Sequence, residues 1–550
     1  MAKKVIKGEQ ARRSIVAGVI EASDAIVTTL GPSGRFVAIE NSMAGVGPEI
    51  SRDGATVAKS ITYKDGAKNT GAMLVRKAAS LTESYVGDGT STTACLIREF
   101  CTKGEKYIQQ GRNVFEIKSG MIKAGEWVKD FIKKNSIEVG DDLEKIRKVA
   151  TISANNDKEV GNLIVEAMSK VGIADGVITA ELSSGLDTIV EVTEGMKIER
   201  GWASPEYSNI KAEGKCVMED CYIVVCGTRL SNVNQLIPII ELITKDGGNK
   251  PFLLICDGID DNVNTTILVN TISGAIRCCV VKDIDFGDGR KNQMQDIATK
   301  VGATYFCTEN GNDINNIRIG DLGYAKKVVV SRDTTIIYEG AGDPDEIAAR
   351  ADILRSALAD PNRTPYDKIK FSKRLANLTK GIAVIKAGGA TEVEKCNRKA
   401  TIDDAILASK SAIEEGCLPG GGYIYFKASK AILKDKNWWK SLEGDEKIGA
   451  ELIVESLPSI LRTVSENAGV AGDVILEQAS QKRKVEMDNW GFNAKTRKWC
   501  NLLEDGVLDS TKVARVALEN SISTASMILA TDCIILEDED EKKAINPMGV

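Results

Sequence analysis

The chain has 550 residues, of which 43% are hydrophobic and 27% are charged, and this predicts a soluble globular protein of about two to four domains. Its net charge of −6 gives no reason to expect a nucleic acid partner, and because no uncharged apolar run reaches about 18 residues we expect no membrane partner. The sequence contains no histidine, which excludes Ser-His and Cys-His nucleophile pairs and histidine-ligated metals, so any catalysis would use carboxylates, other polar groups and a hard cation, as phosphoryl transfer does.

The first 135 residues have a mainly helical pattern. Ile15, Val19, Ala22 and Ile26 recur at the spacing of one face of an amphipathic helix. We expect this helix to end near residues 28–34, because that stretch contains a glycine and a proline, which break helices.

A glycine-rich stretch, Gly87–Thr92, separates two helical patterns. Glycines cost stability inside a helix, whereas three consecutive hydroxyl residues suit a helix N-terminus, where backbone N–H groups lack partners. The stretch therefore predicts a glycine turn that opens a helix, which is either an ordinary capped helix or a phosphate-binding loop. Asp88 favours the phosphate-binding loop, because a carboxylate repels phosphate unless a divalent cation such as Mg²⁺ lies between them.

The pattern changes between about residues 190 and 380 and becomes helical again from about 415 to 533. In the middle segment, short β-rich runs alternate with helical patterns, which is typical of an α/β domain. These runs are 222–226, 252–256, 278–282 and 327–331. We infer that the middle is inserted into one helical domain, so that distant phosphate-binding loops meet in one site. The charged tail after about residue 533 lacks a packing pattern and is predicted to be disordered.

The thirteen cysteines are scattered and include no CxxC pair. An odd number of cysteines in a long chain without an apolar secretory segment favours reduced thiols and a cytoplasmic location. No GxxxxGK[ST] sequence occurs, which excludes a P-loop NTPase by sequence.

Further glycine-rich loops lie at Thr29–Ser33 and Leu418–Gly422, one in each helical segment. Asp403 and Asp404 lie near the start of the helical pattern that precedes the second loop, where acidic residues commonly stabilise the helix dipole. Asp53 precedes a glycine, which is a common turn arrangement. Taken alone, these three aspartates are therefore more simply explained as structural residues.

Nine motifs together resemble those of the group I chaperonins, the GroEL-type family, in the family's order and over nearly the whole chain. They are VTTLGPSGR at 27–35, SRDGATVA at 51–58, GDGTSTTA at 87–94, TISANND at 151–157, EGMKIERGWASP at 194–205, FGDGRKNQMQDIA at 286–298, AVIKAGGATEVE at 383–394, DDAILASKSAIEEGCLPGGG at 403–422 and LDSTKV at 508–513.

The resemblance implies a multidomain α+β fold of three parts. Both chain ends, 1–135 and 415–550, would form a helical equatorial ATP-binding domain. A small intermediate hinge domain would comprise 136–192 and 383–414, and an inserted α/β apical domain, 193–382, would bind substrates and a co-chaperonin.

The resemblance also implies a site for ATP with Mg²⁺ and K⁺. Asp88 would hold Mg²⁺, Asp404 would activate the attacking water, and Asp53 would assist it. The nucleotide would contact residues of the glycine-rich loops and of two later segments. These are Thr29, Leu30, Gly31, Pro32, Arg52, Asp88, Gly89, Thr90, Ser91, Thr92, Gly421, Asn493, Ala494 and Asp509.

In the family, unfolded proteins and the co-chaperonin lid bind an apolar apical surface. The matching residues here are Trp202, Tyr207, Ile237, Ile240, Leu268 and Val269. For the last four, the alternative is that they are core residues of amphipathic helices. Glu206 and Asn264 are polar where the family pattern is apolar, which predicts a narrower set of clients.

The leading hypothesis is an ATP-driven protein-folding chaperonin that assembles as a seven-membered ring, single or double. The alternative is a ring-forming scaffold or holdase that binds ATP without folding proteins. It is favoured by Glu206, by Asn264 and by Lys380, which stands in place of a hinge glycine. The complete set of Asp53, Asp88 and Asp404 favours the first hypothesis. A metabolic ATP-dependent enzyme is disfavoured, because the middle domain carries no small-molecule catalytic motif.

Overall fold

The protein divides into two compact units in the computed structural model, which describes residues 3–40, 48–154, 157–173, 176–183, 185–211, 213–245, 247–248, 250–284, 287–307, 311–359, 365–481 and 489–537. Unit 1 comprises Met1–Val165 and Thr391–Val550, and unit 2 is Glu166–Ala390. Unit 2 is therefore inserted in the sequence of unit 1. The finer division into three domains stays a prediction.

The chain combines long runs of helices with a middle part rich in strands, as expected of a multidomain α+β protein. The helices are α1 Gly8–Val27, α2 Gly54–Ser60, α3 Gly66–Val86, α4 Thr90–Gln109, α5 Val114–Lys134, α6 Leu143–Ser153, α7 Lys158–Val171, α8 Ile237–Lys245, α9 Asp261–Ile272, α10 Gly287–Val301, α11 Pro344–Ala359, α12 Pro365–Thr379, α13 Glu392–Glu415, α14 Tyr423–Lys434, α15 Lys436–Lys440, α16 Glu446–Ser456, α17 Ser459–Asn467, α18 Gly472–Gln481 and α19 Thr511–Leu529. The strands are β1 Lys3–Lys7, β2 Val37–Ile39, β3 Glu49–Ser51, β4 Val177–Leu182, β5 Ile189–Thr193, β6 Gly195–Ile198, β7 Cys216–Leu230, β8 Phe252–Ile259, β9 Cys278–Lys282, β10 Tyr305–Phe306, β11 Gly323–Val330, β12 Thr335–Gly340, β13 Ile382–Ala387, β14 Cys417–Pro419, β15 Trp490–Asn493, β16 Lys498–Asn501, β17 Leu508–Ser510 and β18 Cys533–Glu537.

Helices α1–α5 and α14–α19 of unit 1 pack their apolar faces into a common core. In α1, the four residues of the predicted face are at most 1% exposed, and the helix ends before Thr28 as expected. In α4, Ala94, Ile97 and Cys101 are fully buried. The helical periodicity therefore identified the core side of α1 correctly.

Unit 2 is built on a mixed sheet with the strand order β6-β12-β11-β7-β8-β9, in which β10 also pairs with β7. Strands β7, β8 and β9 are parallel, whereas β11 runs antiparallel to β7. Their near-continuous apolar sequences are typical of parallel strands that are covered on both faces. All four β-rich runs of the sequence lie on strands of this sheet.

A buried carboxylate joins three helices of unit 2. Asp296 of α10 is 2% exposed and accepts a hydrogen bond from Arg350 Nε of α11 at 2.7 Å. Arg374 of α12 donates through Nε at 2.6 Å and through Nη2 at 3.0 Å. The two guanidinium groups satisfy the buried charge and hold α11 and α12 against α10.

The two ends of the described chain lie side by side. Strands β1 and β18 pair antiparallel, with Lys3 opposite Glu537 and Lys7 opposite Cys533. Disorder from about residue 533 was therefore a wrong prediction for Cys533–Glu537, since this segment alternates buried and exposed residues against β1. Residues 538–550 lie outside the described residues. Within the described ranges, no helix is long and apolar enough to cross a membrane.

Candidate nucleotide site and chaperonin family

A two-glycine turn connects α3 to α4. Gly87 caps the C-terminus of α3 with φ of 73°, and Gly89 precedes the first turn of α4 with φ of 87°. Both values are left-handed, which glycine adopts at little cost. A Cβ on Gly89 would also lie 2.9 Å from Val513 Cγ1, so a side chain at this position would disturb the start of α4.

The N-terminus of α4 meets the loop that follows α1. Thr90, Ser91 and Thr92 occupy the first turn, and no side chain caps this helix. The hydroxyls of Ser91 and Thr29 are 2.9 Å apart, and Thr29 also donates to Ile26 O at 2.7 Å. Two segments that the sequence predicted as glycine-rich loops thus converge at a helix end with free backbone donors.

Arg52 holds the loop after α1 in place. Its Nη2 donates to Gly31 O at 2.9 Å and to Pro32 O at 2.7 Å, while its Nε is buried without a partner among the described residues. Burial lowers the pKa of the Arg52 guanidinium. Leu30 lies partly buried in the same loop, and Asn467 fixes it by donating to Leu30 O at 2.9 Å.

Asp53 is the N-cap of α2, which agrees with the structural role that its position before a glycine suggested. Its Oδ1 accepts from Ala55 N at 3.2 Å, and its Oδ2 accepts from both the backbone N and the hydroxyl of Thr56 at 2.7 Å. These bonds fix the orientation of the carboxylate. Since each carboxylate oxygen has two acceptor sites, Oδ1 keeps one for a further donor.

Asp88 lies in the turn between the two glycines. Its Oδ1 accepts from Gly89 N at 2.5 Å, and its Oδ2 accepts from Ser153 Oγ at 3.1 Å. Although the residue has exposed surface, surrounding protein desolvates the carboxylate and raises its pKa, and the Asp53 carboxylate adds a smaller upward shift.

Asp404 approaches the turn from α13. A Cβ on Gly87 would lie 3.0 Å from Asp404 O and 2.2 Å from Leu407 Cβ, so the glycine allows the turn to contact this helix. Burial raises the pKa of Asp404 well above its usual value, and the carboxylates of Asp53 and Asp88 raise it further. The three aspartates that resembled the family's catalytic set are therefore close enough to repel one another.

The second glycine-rich loop carries Gly421 opposite Asp509. Strand β14 pairs with β17 so that Leu418 faces Asp509, and the backbone N–H groups of Gly421 and Gly422 donate to the Asp509 carboxylate. Burial and the charge of Asp88 raise the pKa of Asp509 to about 7, although these two hydrogen bonds act to lower it. A Cβ on Gly421 would meet no atom within 4 Å, so the loop leaves open space at this position.

Asn493 and Ala494 lie in the hairpin formed by β15 and β16. Their side chains are buried, at 7% and 5% exposure. Asn493 Oδ1 accepts from Lys495 N at 2.9 Å, and its amide nitrogen donates to Asp505. The Asn493 side chain is thus engaged within its own hairpin, which leaves backbone atoms as the groups that this segment offers to a ligand.

Two residues of the site were not among the sequence candidates. Ser153, at the end of α6, donates to Asp88, and it belongs to the TISANND motif that resembles the family. Glu83 of α3 lies near Asp53 and pairs with Lys59 at 3.2 Å; burial raises the pKa of Glu83. No glycine or motif marks Glu83, so it could not be predicted from the sequence.

The carboxylates of the three aspartates suit a cation that is also coordinated by water and by the phosphates of a substrate. In the part of the chain that the structure describes, no three His, Cys, Asp or Glu side chains form a complete metal site. Mg²⁺ commonly uses one or two carboxylates together with water and substrate phosphates. Asp88, beside the free N-terminus of α4, matches that incomplete type of site.

The predicted client-binding residues of unit 2 differ in their exposure. Ile237 of α8 and Val269 of α9 are 46% and 60% exposed, while Ile240 and Leu268 are partly buried against the core. Trp202 is also partly buried and donates its indole N–H to Gly214 O at 3.0 Å.

Tyr207 is only 2% exposed. Its hydroxyl donates to Asn264 Oδ1 at 2.8 Å, so the polar residue on α9 supplies the partner that a buried tyrosine needs.

Known proteins match this chain over nearly its full length. The model of the TCP-1/cpn60 chaperonin family matches residues 22–539. The chain belongs to this family. The chaperonin is 40% identical over 541 residues to "Chaperonin GroEL" of Methanospirillum hungatei JF-1, and the alignment covers 98% of each chain.

The chaperonin fold is also found in a solved structure. The crystal structure of the chaperonin gp146 from bacteriophage EL 2 (Pseudomonas aeruginosa) matches with a TM-score of 0.73 and 21% identity, covering 97% of this chain and 99% of that one. At this identity the likeness shows the fold alone. The multidomain α+β fold and the GroEL-type chaperonin family, both expected from the motifs, are thereby confirmed.

Proposed function

We propose that this chaperonin folds proteins in an ATP-dependent cycle driven by Mg²⁺-dependent ATP hydrolysis. One observation carries the proposal: Asp53, Asp88 and Asp404, from three separate segments, converge beside the N-terminus of α4, where the charge of Asp53 adds to the raised pKa of Asp88 and the charges of both add to the raised pKa of Asp404. Such an arrangement is unfavourable without a cation, so a purely structural role gives no reason for it.

The described residues fit a nucleotide with its cation. Asp88 would hold Mg²⁺, and the donors of Gly89–Thr92 would bind phosphate oxygens at the N-terminus of α4. The loop Thr29–Pro32 would lie over the nucleotide, and Gly421, Asp509 and the backbone at Asn493–Ala494 would contact ribose and base. K⁺ is proposed as a second cation.

Asp404 is the proposed general base for the attacking water. Mg²⁺ held by Asp88 would supply positive charge that offsets the repulsion among the carboxylates, so that Asp404 would be ionised. The ionised carboxylate accepts a proton from water, and Asp53, held rigid by its cap bonds, orients that water through its remaining acceptor site. Arg52 acts indirectly, since it contacts the loop carbonyls of Gly31 and Pro32.

The proposed clients are unfolded proteins, held in a ring of seven subunits with a co-chaperonin lid. The exposed side chains of Ile237 and Val269 support an apolar client surface on unit 2. The related phage chaperonin was crystallised in the presence of ATP-BeFx, which supports nucleotide binding in this fold. A cytoplasmic location agrees with the thirteen unpaired cysteines.

The test is to measure ATP hydrolysis and refolding yield together. A chemically unfolded, aggregation-prone enzyme is diluted into the wild type with Mg²⁺, K⁺ and ATP, without a lid protein. Asp404→Ala should lower hydrolysis by about 10²- to 10⁴-fold, the range for loss of a general base, and should abolish recovery. Asp403→Ala, one position away, is the matched control and should retain hydrolysis.

The outcomes separate the two candidate functions. ATP-dependent recovery in the wild type alone supports a folding machine that needs no separate lid. Suppressed aggregation without recovery has two explanations: a folding machine that lacks its lid, or a holdase that does not fold proteins. Recovery after addition of a co-chaperonin would favour the first explanation, and continued absence of recovery would favour the second. Unaffected aggregation would contradict the chaperone function, and equal hydrolysis by both variants would contradict the role of Asp404.

A further inference from the structure

A strip of side chains along α9 of unit 2 combines one amide with apolar groups. Asn264, Leu268 and Ile272 recur at i, i+4 and i+8, so they follow one another along one side of the helix. Ile272 is 67% exposed and the nearby Val269 is 60% exposed, whereas Asn264 and Leu268 are partly buried. A ligand that covers this strip therefore meets apolar side chains and one amide group.

Tyr207 holds the amide of Asn264 in one orientation. Burial raises the pKa of the Tyr207 hydroxyl, so the hydroxyl keeps its proton at neutral pH and donates it to Asn264 Oδ1 at 2.8 Å. The segment before Tyr207 is itself anchored to the sheet, since Ala203 N donates to Val280 O at 2.8 Å. The amide oxygen of Asn264 is thus bound to a partner that is held in place.

The amide nitrogen of Asn264 keeps both of its N–H donors. Among the described residues, no atom accepts a hydrogen bond from it. Asn270, on the other flank of α9, differs in this respect, because its amide nitrogen donates to Thr266 O at 2.8 Å. A donor that an apolar ligand covers loses its hydrogen bond to water, and this costs free energy unless the ligand supplies an acceptor.

A main-chain carbonyl is an acceptor that every unfolded segment contains. In an extended segment without a pairing strand, the carbonyls have no intrachain partner and lie between side chains that point to alternate sides. Inside a helix, each carbonyl already accepts from an N–H group of the same helix. An amide donor beside apolar side chains therefore distinguishes extended apolar segments from apolar helices.

We propose that Asn264 is a specificity-determining residue of the client surface and donates a hydrogen bond to a main-chain carbonyl of an extended apolar segment. Tyr207 is the positioning residue that orients the amide. This role rests on the client binding proposed for unit 2, and it adds which conformation of a client segment is selected. It is independent of ATP hydrolysis, because neither residue belongs to the proposed catalytic set.

The test measures the binding of two fluorescent peptides to the full-length protein without nucleotide. One peptide alternates valine and threonine and offers an extended segment, and the other is an amphipathic helix of the same length and net charge. The measured quantity is the ratio of the two affinities, extended over helical. Asn264→Leu should lower this ratio about two- to tenfold, because only the extended peptide loses a hydrogen bond. Asn264→Asp keeps an oxygen for Tyr207 but has no donor at neutral pH, so it should lower the ratio to a similar extent.

Two further variants separate recognition from a purely structural role. Asn270→Leu, on the other flank of α9, is the matched control and should leave the ratio unchanged. Tyr207→Phe frees the amide of Asn264 to rotate and should lower the ratio, whereas a loss of structure would weaken the binding of both peptides equally. A ratio that neither Asn264 variant changes would overturn this role and leave client binding by unit 2 in place. If the wild type bound neither peptide, the client surface itself would be contradicted, and the role of Asn264 with it.

Discussion

Asp404 and Asp509 hold their protons to higher pH than an ordinary aspartate. Burial is the main cause in both, and neighbouring carboxylates add to it. The family resemblance predicted that both residues belong to one site, but the sequence did not predict how strongly the charge of Asp88 acts on each of them, because α13, β17 and the turn at Asp88 are far apart along the chain. This repulsion by Asp88 depends on long-range packing, which the periodicity of a sequence does not predict.

The pKa of about 7 at Asp509 predicts a pH-dependent stability. An aspartate in an unfolded chain titrates near pH 3.9, so between about pH 4 and 7 the folded state keeps a proton that the unfolded state has lost. Raising the pH therefore destabilises the folded protein, and the loss is complete above about 7. Asp509→Asn removes this effect.

We expect the unfolding free energy of Asp509→Asn, relative to wild type, to rise between pH 4 and 8. The rise should be at least about 1 kcal/mol, since one pKa unit corresponds to about 1.4 kcal/mol. Urea unfolding of the nucleotide-free protein measures it, with Asp532→Asn, an exposed aspartate, as the control. A difference that does not change with pH would show that Asp509 titrates normally.

The turn between α3 and α4 depends on glycine for two separate reasons, conformation and space. Gly89 has a left-handed φ, and a Cβ there would also approach Val513. Gly111 shares the left-handed φ, at 79°, but has open space around it. A comparison of substitutions at these two glycines therefore distinguishes the conformational cost, which both share, from the cost of displacing the start of α4, which only Gly89 has.

Both Gly89→Ala and Gly111→Ala should lose about 1 kcal/mol of stability from the left-handed backbone. Gly89→Ala alone should in addition weaken ATP binding at least about tenfold, because the phosphate donors of α4 shift. Denaturation and calorimetric titration with Mg²⁺ and ATP measure the two effects. If both variants bound ATP equally well, the α4 N-terminus would not be the phosphate site.

In unit 2, the buried carboxylate of Asp296 and its arginine partners on α11 and α12 are expected to stabilise the fold. Asp296→Ala leaves two partly buried guanidinium groups without their buried carboxylate, which should cost about 3–5 kcal/mol. Asp352→Ala removes a carboxylate that is 71% exposed and pairs with Arg355, which should cost at most about 1 kcal/mol. Urea unfolding gives both values, and proteolysis should begin at α11 and α12 in the first variant. Similar costs would mean that the buried cluster adds no more than a surface pair.

Individual helices and strands were predicted from the sequence better than the elements with which they pack or pair. The apolar spacing in α1 and the apolar run of β9 correctly predicted buried residues, and glycines correctly predicted the turns. The pairing of β1 with β18 could not be predicted, since both strands are short and their hydrogen-bond partners lie at opposite ends of the chain. The burial of Tyr207 was missed for a related reason: its partner, Asn264, lies on a different element.

The two units have separate cores, and the proposed ATP site lies entirely within unit 1. Ligand binding stabilises the folded state by mass action, by about 2.7 kcal/mol at a hundredfold excess over the dissociation constant. We therefore expect Mg²⁺ with ATP to slow the hydrogen exchange of core amides in α1, α3 and α4. Core amides of β7, β8 and β9 should change far less.

Hydrogen exchange by mass spectrometry, with and without nucleotide, checks this expectation. Asp404→Ala should still show the protection, because it removes the proposed base and leaves the phosphate donors in place. Equal protection of both units would indicate that they unfold as one cooperative body, and protection confined to unit 2 would place the nucleotide elsewhere.

The pairing of β1 with β18 makes the polypeptide nearly a closed loop. The described chain begins and ends at one pair of residues, Lys3 and Glu537. The same closeness means that the old ends could be joined by a short linker and the chain reopened in an exposed loop. If the chain were reopened at a boundary between the two units, unit 2 would remain one uninterrupted stretch and the two halves of unit 1 would become consecutive for the first time.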